Sequence, residues 1–205
     1  MSKYAYSRIS PRAWPRLLPC LILAVALGGW LGWWWSLPLV LLALYLVVRY
    51  RDPYREIPST PLAVVSPVDA TVLATERGRC PYLDREGLCL RLGVDRYGAY
   101  SLRSPVEGKV LDLGGAPTEE SCCGRMRVET DEGDEVIVVL KGGRWGRRGV
   151  VRVPVGERVG QGQRLGSVRG VDEVRVHLHA SARLKVEADT HVQAGSDILA
   201  LLTHE

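Results

Sequence analysis

The chain divides into a long uncharged apolar stretch, residues 17–48, and a longer part in which short apolar runs alternate with polar and glycine-rich segments. A straight helix over the apolar stretch would be about 48 Å long, whereas the hydrocarbon core of a bilayer is about 30 Å thick. We therefore expect a break at Gly28-Gly29 or at Ser36–Pro38, where helix-breaking residues cluster. The pattern predicts a transmembrane or re-entrant helical hairpin, with a single tilted span as the alternative.

Beyond residue 60 the periodicity is that of strands. Residues 135–140 form a continuous apolar run, and residues 150–155 and 174–178 alternate apolar and polar side chains. Glycine and proline are frequent, as turn-rich β-structure requires, and no long amphipathic helical pattern occurs. This part of the chain is therefore predicted to be mainly β.

Two motifs occur twice in the predicted β-region. Residues 66–73 recur as residues 104–111, both beginning Ser-Pro-Val, and residues 156–166 are echoed by residues 189–199. Such repeats resemble the small sandwiched β-barrels, or barrel-sandwich hybrids, of lipoyl and biotinyl carriers. No lysine stands at a carrier-like hairpin tip, so carrier activity is not expected. We divide the chain into a membrane anchor (1–51), a linker (52–64) and a β domain (65–205).

The charge is distributed unevenly. Residues 1–51 contain no acidic residue but several basic ones on both sides of the apolar stretch, namely Lys3, Arg8, Arg12, Arg16, Arg49 and Arg51, while the rest of the chain is slightly acidic. Basic flanks favour anionic lipid and the cytoplasmic side of a membrane. The sequence thus predicts an inner-membrane protein whose soluble domain lies in the cytoplasm, and no nucleic-acid partner.

Cysteine and histidine residues do not indicate a metal site. The odd number of cysteines and the predicted location favour free thiols, with Cys80 and Cys89 brought close by a turn. The pair Cys122-Cys123 suits one zinc ion poorly, because adjacent side chains point to opposite faces of a strand. His177 and His179 are predicted to face solvent. We expect no metal.

Several motifs, in order, carry a family resemblance that runs from about residue 38 to the C-terminus. They are the linker 51–58 (Arg-Asp-Pro-x-Arg-x-Ile-Pro), the turn 66–69 (Ser-Pro-x-Asp), the segment 103–110, the segment 143–148 and the terminal Gly-x-x-Val-x-x-Gly units. Together with the apolar anchor, they resemble the short, membrane-anchored form of phosphatidylserine decarboxylase.

The resemblance implies a self-processing enzyme. In that family a serine that follows a glycine attacks the preceding carbonyl, and the ester eliminates to leave an N-terminal pyruvoyl group, with an aspartate and a histidine assisting proton transfer. Carried over to this chain, the aspartate is Asp69, but Tyr100 stands at the histidine position. Asp172 stands at the serine position and Val171 at its glycine. Tyrosine is a poor base at neutral pH, and a carboxylate cannot eliminate to pyruvoyl.

The sequence therefore predicts a decarboxylase-related membrane protein of phospholipid metabolism that is not self-processed and has a lipid-binding or accessory role. Two alternatives stay open: an active pyruvoyl-dependent decarboxylase with unusual residues, and a non-enzymatic barrel adaptor. Whether the chain is an enzyme is left open. No cofactor is expected, except pyruvoyl if Ser167, in Leu165-Gly166-Ser167, serves as a fallback cleavage site.

Asp69, Tyr100 and Asp172 are expected to converge in one cleft near the membrane, where Arg103 and Arg169 would bind a lipid phosphate or carboxylate. The alternatives are an Asx-turn role for Asp69, packing for Tyr100 and an exposed charge for Asp172. The expected partners are a phospholipid membrane, an active decarboxylase and a second copy of the chain.

Overall fold

The computed structural model describes residues 10, 13–80, 82, 86–114, 122–142 and 150–203. They form two compact units, Met1–Tyr54 and Arg55–Glu205. Over the described residues there are two helices and fourteen strands, so the chain is mainly β, as predicted. The predicted boundaries at residues 51 and 64 stay a prediction, and the motif at residues 143–148 lies outside the described residues.

The first unit is a helical hairpin. Helix α1 spans Trp14–Leu31 and helix α2 spans Trp33–Arg49. Two hydrogen bonds show that the helices run antiparallel. Ser10 N donates to Tyr50 O at 3.0 Å at the open end of the hairpin, and Cys20 Sγ donates to Leu39 O at 3.2 Å between the helices.

The break between the helices lies at Gly32, which adopts a φ of 102°. Glycine reaches this region at little cost, whereas other residues rarely do. The positions predicted from the sequence were wrong by a few residues: Gly28-Gly29 and Pro38 all lie inside helices. Gly28 lies opposite Ser36 of the other helix, where an added Cβ would make an ordinary van der Waals contact of 3.5 Å with Ser36 Cβ.

The hairpin surface is strongly apolar. Trp30 is 93% exposed, and the exposed apolar side chains also include Ile22, Val25, Trp33, Trp34, Trp35, Leu41 and Leu44. Within the described residues, neither helix reaches the length and apolar character that crossing a membrane requires.

The second unit contains three antiparallel sheets. Its strands are β1 (Ala63–Val65), β2 (Ala70–Arg79), β3 (Glu86–Val94), β4 (Ser101–Arg103), β5 (Gly108–Gly114), β6 (Cys122–Glu129), β7 (Glu135–Gly142), β8 (Val150–Val151), β9 (Arg158–Val159), β10 (Arg164–Ser167), β11 (Val171–His179), β12 (Arg183–Leu184), β13 (His191–Val192) and β14 (Ile198–Leu201). The large sheet has the order β13-β2-β3-β11-β7-β6-β5-β9, and the small sheets are β1-β14-β12 and β4-β10-β8.

These sheets show that the unit is an internal duplication. The order of the large sheet is symmetric about the β11–β7 pair, with β13, β2, β3 and β11 matching β9, β5, β6 and β7, and the two small sheets match each other in the same way. The inner copy, β4–β10, is inserted between β3 and β11 of the outer copy. The repeats seen in the sequence are thus structural repeats.

The two Ser-Pro turns meet across this symmetry. Arg103 N, just before the second turn, donates to Pro67 O of the first at 2.9 Å, and Val65 N donates reciprocally to Pro105 O at 2.8 Å. Inside each turn the serine hydroxyl donates to the carbonyl two residues on, at 2.7 Å in both. The core beneath them is made by alternate buried residues of the long strands, including Leu90, Val138 and Val176, which lie side by side.

Candidate functional site

Asp69 closes the first Ser-Pro turn and is almost completely buried. Its carboxylate accepts four hydrogen bonds, each 2.8 Å long. Oδ1 accepts from Arg55 Nη1 and Ala194 N, and Oδ2 accepts from Arg55 Nη2 and Ala99 N. The carboxylate therefore joins three segments of the chain: the one that follows the helical hairpin, the loop before β4, and the turn after β13.

Tyr100 lies in the loop before β4, directly after the residue whose amide binds Asp69, and it is half-buried. Its carbonyl accepts a hydrogen bond from Val168 N at 3.2 Å. This contact joins the loop to the segment between β10 and β11. The structure thus brings the backbone at Tyr100 close both to Asp69 and to the turn that leads to Asp172.

Asp172 is the second residue of β11 and is exposed. A tight turn precedes it: Val171 N donates to Val168 O at 3.0 Å, and Gly170 has a φ of 80°. Val171 is buried and pairs with Gly142, while Asp172 lies at the irregularity in the pairing of β11 with β7. Convergence of the Asp69, Tyr100 and Asp172 side chains in one cleft stays a prediction.

Ser167, the fallback nucleophile, is buried at the end of β10. It pairs with Ser101 on one side and with Val150 on the other, and Gly166 pairs with Leu102 and Val151. The Gly166–Ser167 peptide therefore lies in regular sheet between two neighbouring strands. Cleavage at Ser167 stays a prediction.

The two predicted headgroup ligands differ in exposure. Arg103 is completely buried, with Nη1 donating to Gly162 O at 3.4 Å, and a Cβ built on Gly195 would lie 2.8 Å from its Cδ. A lipid headgroup would reach its guanidinium only if the turns above it moved. Arg169 is half-buried in the turn before β11, beside Gly170. Headgroup binding by either arginine stays a prediction.

Next to Asp172, a charged network that sequence reasoning missed lies on the outer face of the sheet. Arg91 donates to both Glu173 oxygens, at 3.1 and 3.2 Å, and Arg175 Nε donates to Oε1 at 2.7 Å. Burial by itself raises the pKa of Glu173, but the hydrogen bonds from the two arginines outweigh burial and hold that pKa below its ordinary value. The sequence does show alternate polar residues on each of these strands. It does not show which strands pair, so it could not predict that these three residues contact one another.

The prediction of solvent-facing histidines was wrong for His177, which is buried. Its Nε2 lies 4.0 Å from Cys89 Sγ, and the Tyr82 ring meets its ring edge-on with 5.3 Å between centroids. Tyr82 covers His177 on the outer face of the sheet, so His177 is buried although its side chain points away from the core. Burial raises the pKa of Cys89 to about 11. Four described cysteines are free thiols, as predicted: Cys20, Cys80, Cys89 and Cys123.

Two further features of the described residues bear on ligand binding. Among the described residues, no three metal-ligating side chains group together. A cavity of about 270 Å³ opens beside Glu107, lined also by Leu62, Thr130 and Gln161. None of the predicted site residues lines this cavity, so it offers no support for a role of theirs.

Comparisons with known proteins assign the chain. No family model matches it. Phosphatidylserine decarboxylase proenzyme from Aromatoleum aromaticum is 32% identical over 215 residues, covering 98% of this chain and 99% of the relative. The proenzymes of Nitrosomonas eutropha and Cupriavidus pinatubonensis are each 31% identical, covering 97% of this chain and 97% of the relative. The chain belongs to the phosphatidylserine decarboxylase family.

Among solved structures, glucose permease IIA from Mycoplasma capricolum is similar at a TM-score of 0.46 and 17% identity, over 69% of this chain and 96% of that one.

The resemblance predicts that this chain departs from the pattern of the phosphatidylserine decarboxylase family at positions 100, 171 and 172. On that prediction, the aspartate of the pattern is kept at Asp69, whereas Tyr100, Val171 and Asp172 stand at the positions of the histidine, the glycine and the serine. Arg55, which sequence reasoning treated as part of a linker, belongs to the same neighbourhood through its two hydrogen bonds to Asp69. If the cleavage position is at Val171 and Asp172, as the resemblance predicts, these residues would not fit a pyruvoyl group, because pyruvoyl derives from a serine.

Proposed function

We propose that this chain is an unprocessed, membrane-associated member of the phosphatidylserine decarboxylase family that binds phospholipid headgroups or accompanies an active decarboxylase. One observation carries the proposal: Asp172 stands where the family pattern has its self-cleaving serine.

Chemistry supports the absence of processing. Self-cleavage needs a hydroxyl that attacks the preceding carbonyl to form an ester, whose Cβ–O bond then breaks as the upstream chain leaves as a carboxylate. Asp172 has no such hydroxyl. Activation of a nucleophile also needs a base, and a phenol is a poorer base at neutral pH than the imidazole of the family pattern. Both halves of the nucleophile–base pair are therefore replaced in this chain.

The predicted cleavage position lies within the secondary structure of the β unit. Val171 and Asp172 begin β11, which pairs with β3 on one side and with β7 on the other, in the middle of the large sheet. A cut before Asp172 would therefore fall at the start of a strand that is paired on both sides.

Membrane association is proposed from the hairpin. Its exposed apolar surface, tryptophans included, has no counterpart on an ordinary soluble protein surface. Basic residues flank it at both ends. We infer a re-entrant anchor with both ends on the cytoplasmic side of the inner membrane, and a sandwiched-barrel arrangement for the duplicated β unit. Tryptophans favour the membrane–water interface, and basic flanks favour anionic lipid.

The ligand proposed for the β unit is an anionic headgroup. Arg169 is the better placed of the two candidate arginines, because it lies in a turn and is partly exposed, whereas Arg103 is sealed. A guanidinium can hold a phosphate or a carboxylate through two parallel hydrogen bonds. An active decarboxylase and a second copy of this chain are the proposed protein partners.

The intact mass of protein purified from native membranes tests the proposal. We expect one species with the mass of the whole chain. A carboxy-terminal fragment that begins at Asp172 or at Ser167, with a blocked, carbonyl-bearing N-terminus, would show that the chain is a working decarboxylase with unusual residues.

A matched set of variants tests the reason for the absence of processing. Tyr100→His, Val171→Gly and Asp172→Ser together should restore some cleavage before residue 172. Each substitution alone should leave the chain uncut, with the mass of the full-length variant, because nucleophile and base act as a unit. Cleavage in any single variant would contradict this account of the site.

A further inference from the structure

The segment that follows the helical hairpin is built into the β unit. Arg55 reaches Asp69 of the outer copy of the repeat, and Ile57 packs on Gly162 of the inner copy, where an added Cβ would lie 2.8 Å from Ile57 Cδ1. We call residues 55–57 the strap. Its composition suggested a linker, but its contacts join both copies of the duplication.

The Asp69 carboxylate is fully engaged by the strap and by two amides. An ionised carboxylate offers about four lone-pair positions, and all four are used by Arg55, Ala99 and Ala194. Arg55 supplies both members of a fork, so it fixes the carboxylate plane as well as its position. The two amides then take their places on the remaining lone pairs.

Burial makes this arrangement demanding. The Arg55 side chain is 12% exposed and the Asp69 side chain 5%. Removing one member of a buried ion pair leaves the other charge without compensation, which is strongly unfavourable. Without Arg55, only the two amides would compensate the buried Asp69 charge.

The inner copy shows that a Ser-Pro turn forms without a clamp, by which we mean the four hydrogen bonds that hold the Asp69 carboxylate. Glu107 occupies the position that corresponds to Asp69, and it is exposed. Within the described contacts its carboxylate accepts no hydrogen bond, yet its turn keeps the same serine-to-carbonyl bond as the first turn. The clamp in the outer copy therefore does more than shape a turn: the Ala99 amide extends it to the loop that holds Tyr100.

We propose that Arg55 is a positioning residue that orients Asp69 and, through Asp69, fixes the loop carrying Tyr100 and the turn after β13. The Tyr100 carbonyl in turn accepts a hydrogen bond from Val168 N. The strap thus sets the geometry of the neighbourhood in which the family pattern is altered. Arg55 would act in this way in a cleaved chain and in an intact chain alike, so the intact mass leaves this assignment untouched.

Hydrogen exchange of the full chain in lipid nanodiscs tests the assignment. Arg55→Met keeps the apolar stem and removes the fork. In this variant the amides of Ala99 and Ala194 should exchange about tenfold faster, since each loses a well-oriented charged acceptor. The Val176 amide, in the middle of β11, should exchange as in the unaltered protein.

Two further variants separate positioning from general stabilisation. Arg55→Lys keeps the charge without the fork and should accelerate the same two amides by a smaller factor. Arg158→Met, in the inner copy, removes an exposed pair with Asp131 and should change neither amide.

Unchanged exchange at Ala99 and Ala194 in Arg55→Met would overturn the assignment. Equal acceleration of Val176 would also overturn it, because Arg55 would then act on the whole unit. If Arg55→Met fails to fold, Arg55→Lys decides by the same comparison of the two amides with Val176.

Discussion

At the scale of single residues, environment decides what a titratable group can do here. Asp69 is a carboxylate whose lone pairs are all used, Glu173 is held ionised by two arginines, and Cys89 is a thiol whose proton is retained by burial. Sequence reasoning found Asp69 from its turn motif. It missed Arg55, Arg91 and the burial of His177, because each depends on a partner that is distant in sequence.

The raised pKa of the Cys89 thiol leads to a prediction about the stability of the folded chain at alkaline pH. Its pKa is about 11 in the folded chain against an ordinary value of 9.0, so the unfolded chain gives up this proton first. The free energy of unfolding should therefore fall as pH rises from about 9 to 11, by roughly 1–2 kcal/mol from this group. Urea unfolding at several pH values, compared with Cys89→Ser, isolates the contribution. An equally steep fall in the variant would show that other groups cause it.

At the scale of elements, the strands were predictable where periodicity was strong. The runs at residues 135–140 and 174–178 became β7 and β11. The alternation at residues 150–155 gave a strand of only two described residues, β8, because pairing with β10 stops there. The helix break was misplaced because proline and paired glycines can lie inside a helix when the hairpin packing accommodates them, whereas the positive φ falls at Gly32.

The close packing at Gly108, at the start of β5, leads to a prediction about the stability of the β unit. A Cβ built there would lie 2.1 Å from Glu129 O, a backbone atom that cannot move away without shifting β6. Gly108→Ala should therefore destabilise the unit by roughly 2–4 kcal/mol, measured by urea unfolding. Gly78→Ala is the control, because nothing lies within 4 Å of an added Cβ there. Similar losses in both variants would contradict a steric cause.

The helical hairpin makes a prediction about attachment. A chain lacking residues 1–51 should leave the membrane fraction and keep the far-ultraviolet dichroism of a β protein, because Arg55 and Ile57 stay in the β unit. In the full chain, labelling of cysteines introduced at Ser2 and Thr60 should place both on the cytoplasmic side. Labelling from opposite sides would mean that the chain crosses the bilayer.

At the scale of the whole molecule, the sequence predicted a duplicated β unit because the Ser-Pro turns repeat with their flanking residues. It did not predict that one copy is inserted in the other. That arrangement depends on pairing between distant segments: β11 pairs with β3 of its own copy and with β7 of the inner copy. The replacements at Tyr100 and Asp172 are predictions from the sequence, whereas the hydrogen bonds from Arg55 to Asp69 could not be predicted from it.

The insertion of one copy in the other has a consequence for how the chain recovers from denaturation. The predicted cleavage position, before Asp172, lies where the inner copy has ended and β11 begins, so the strands on its C-terminal side, β11–β14, belong to the outer copy. A chain cut there would have to reassemble from two pieces, at a rate that depends on their concentration. An intact chain brings the same strands together as one molecule, with a high effective concentration.

Refolding yield after dilution from urea should therefore not vary with protein concentration for the β unit of this chain. A processed relative treated in the same way should lose yield as it is diluted. A yield that falls on dilution of the intact chain would mean that a second molecule, not the covalent join at residue 171, completes the outer copy.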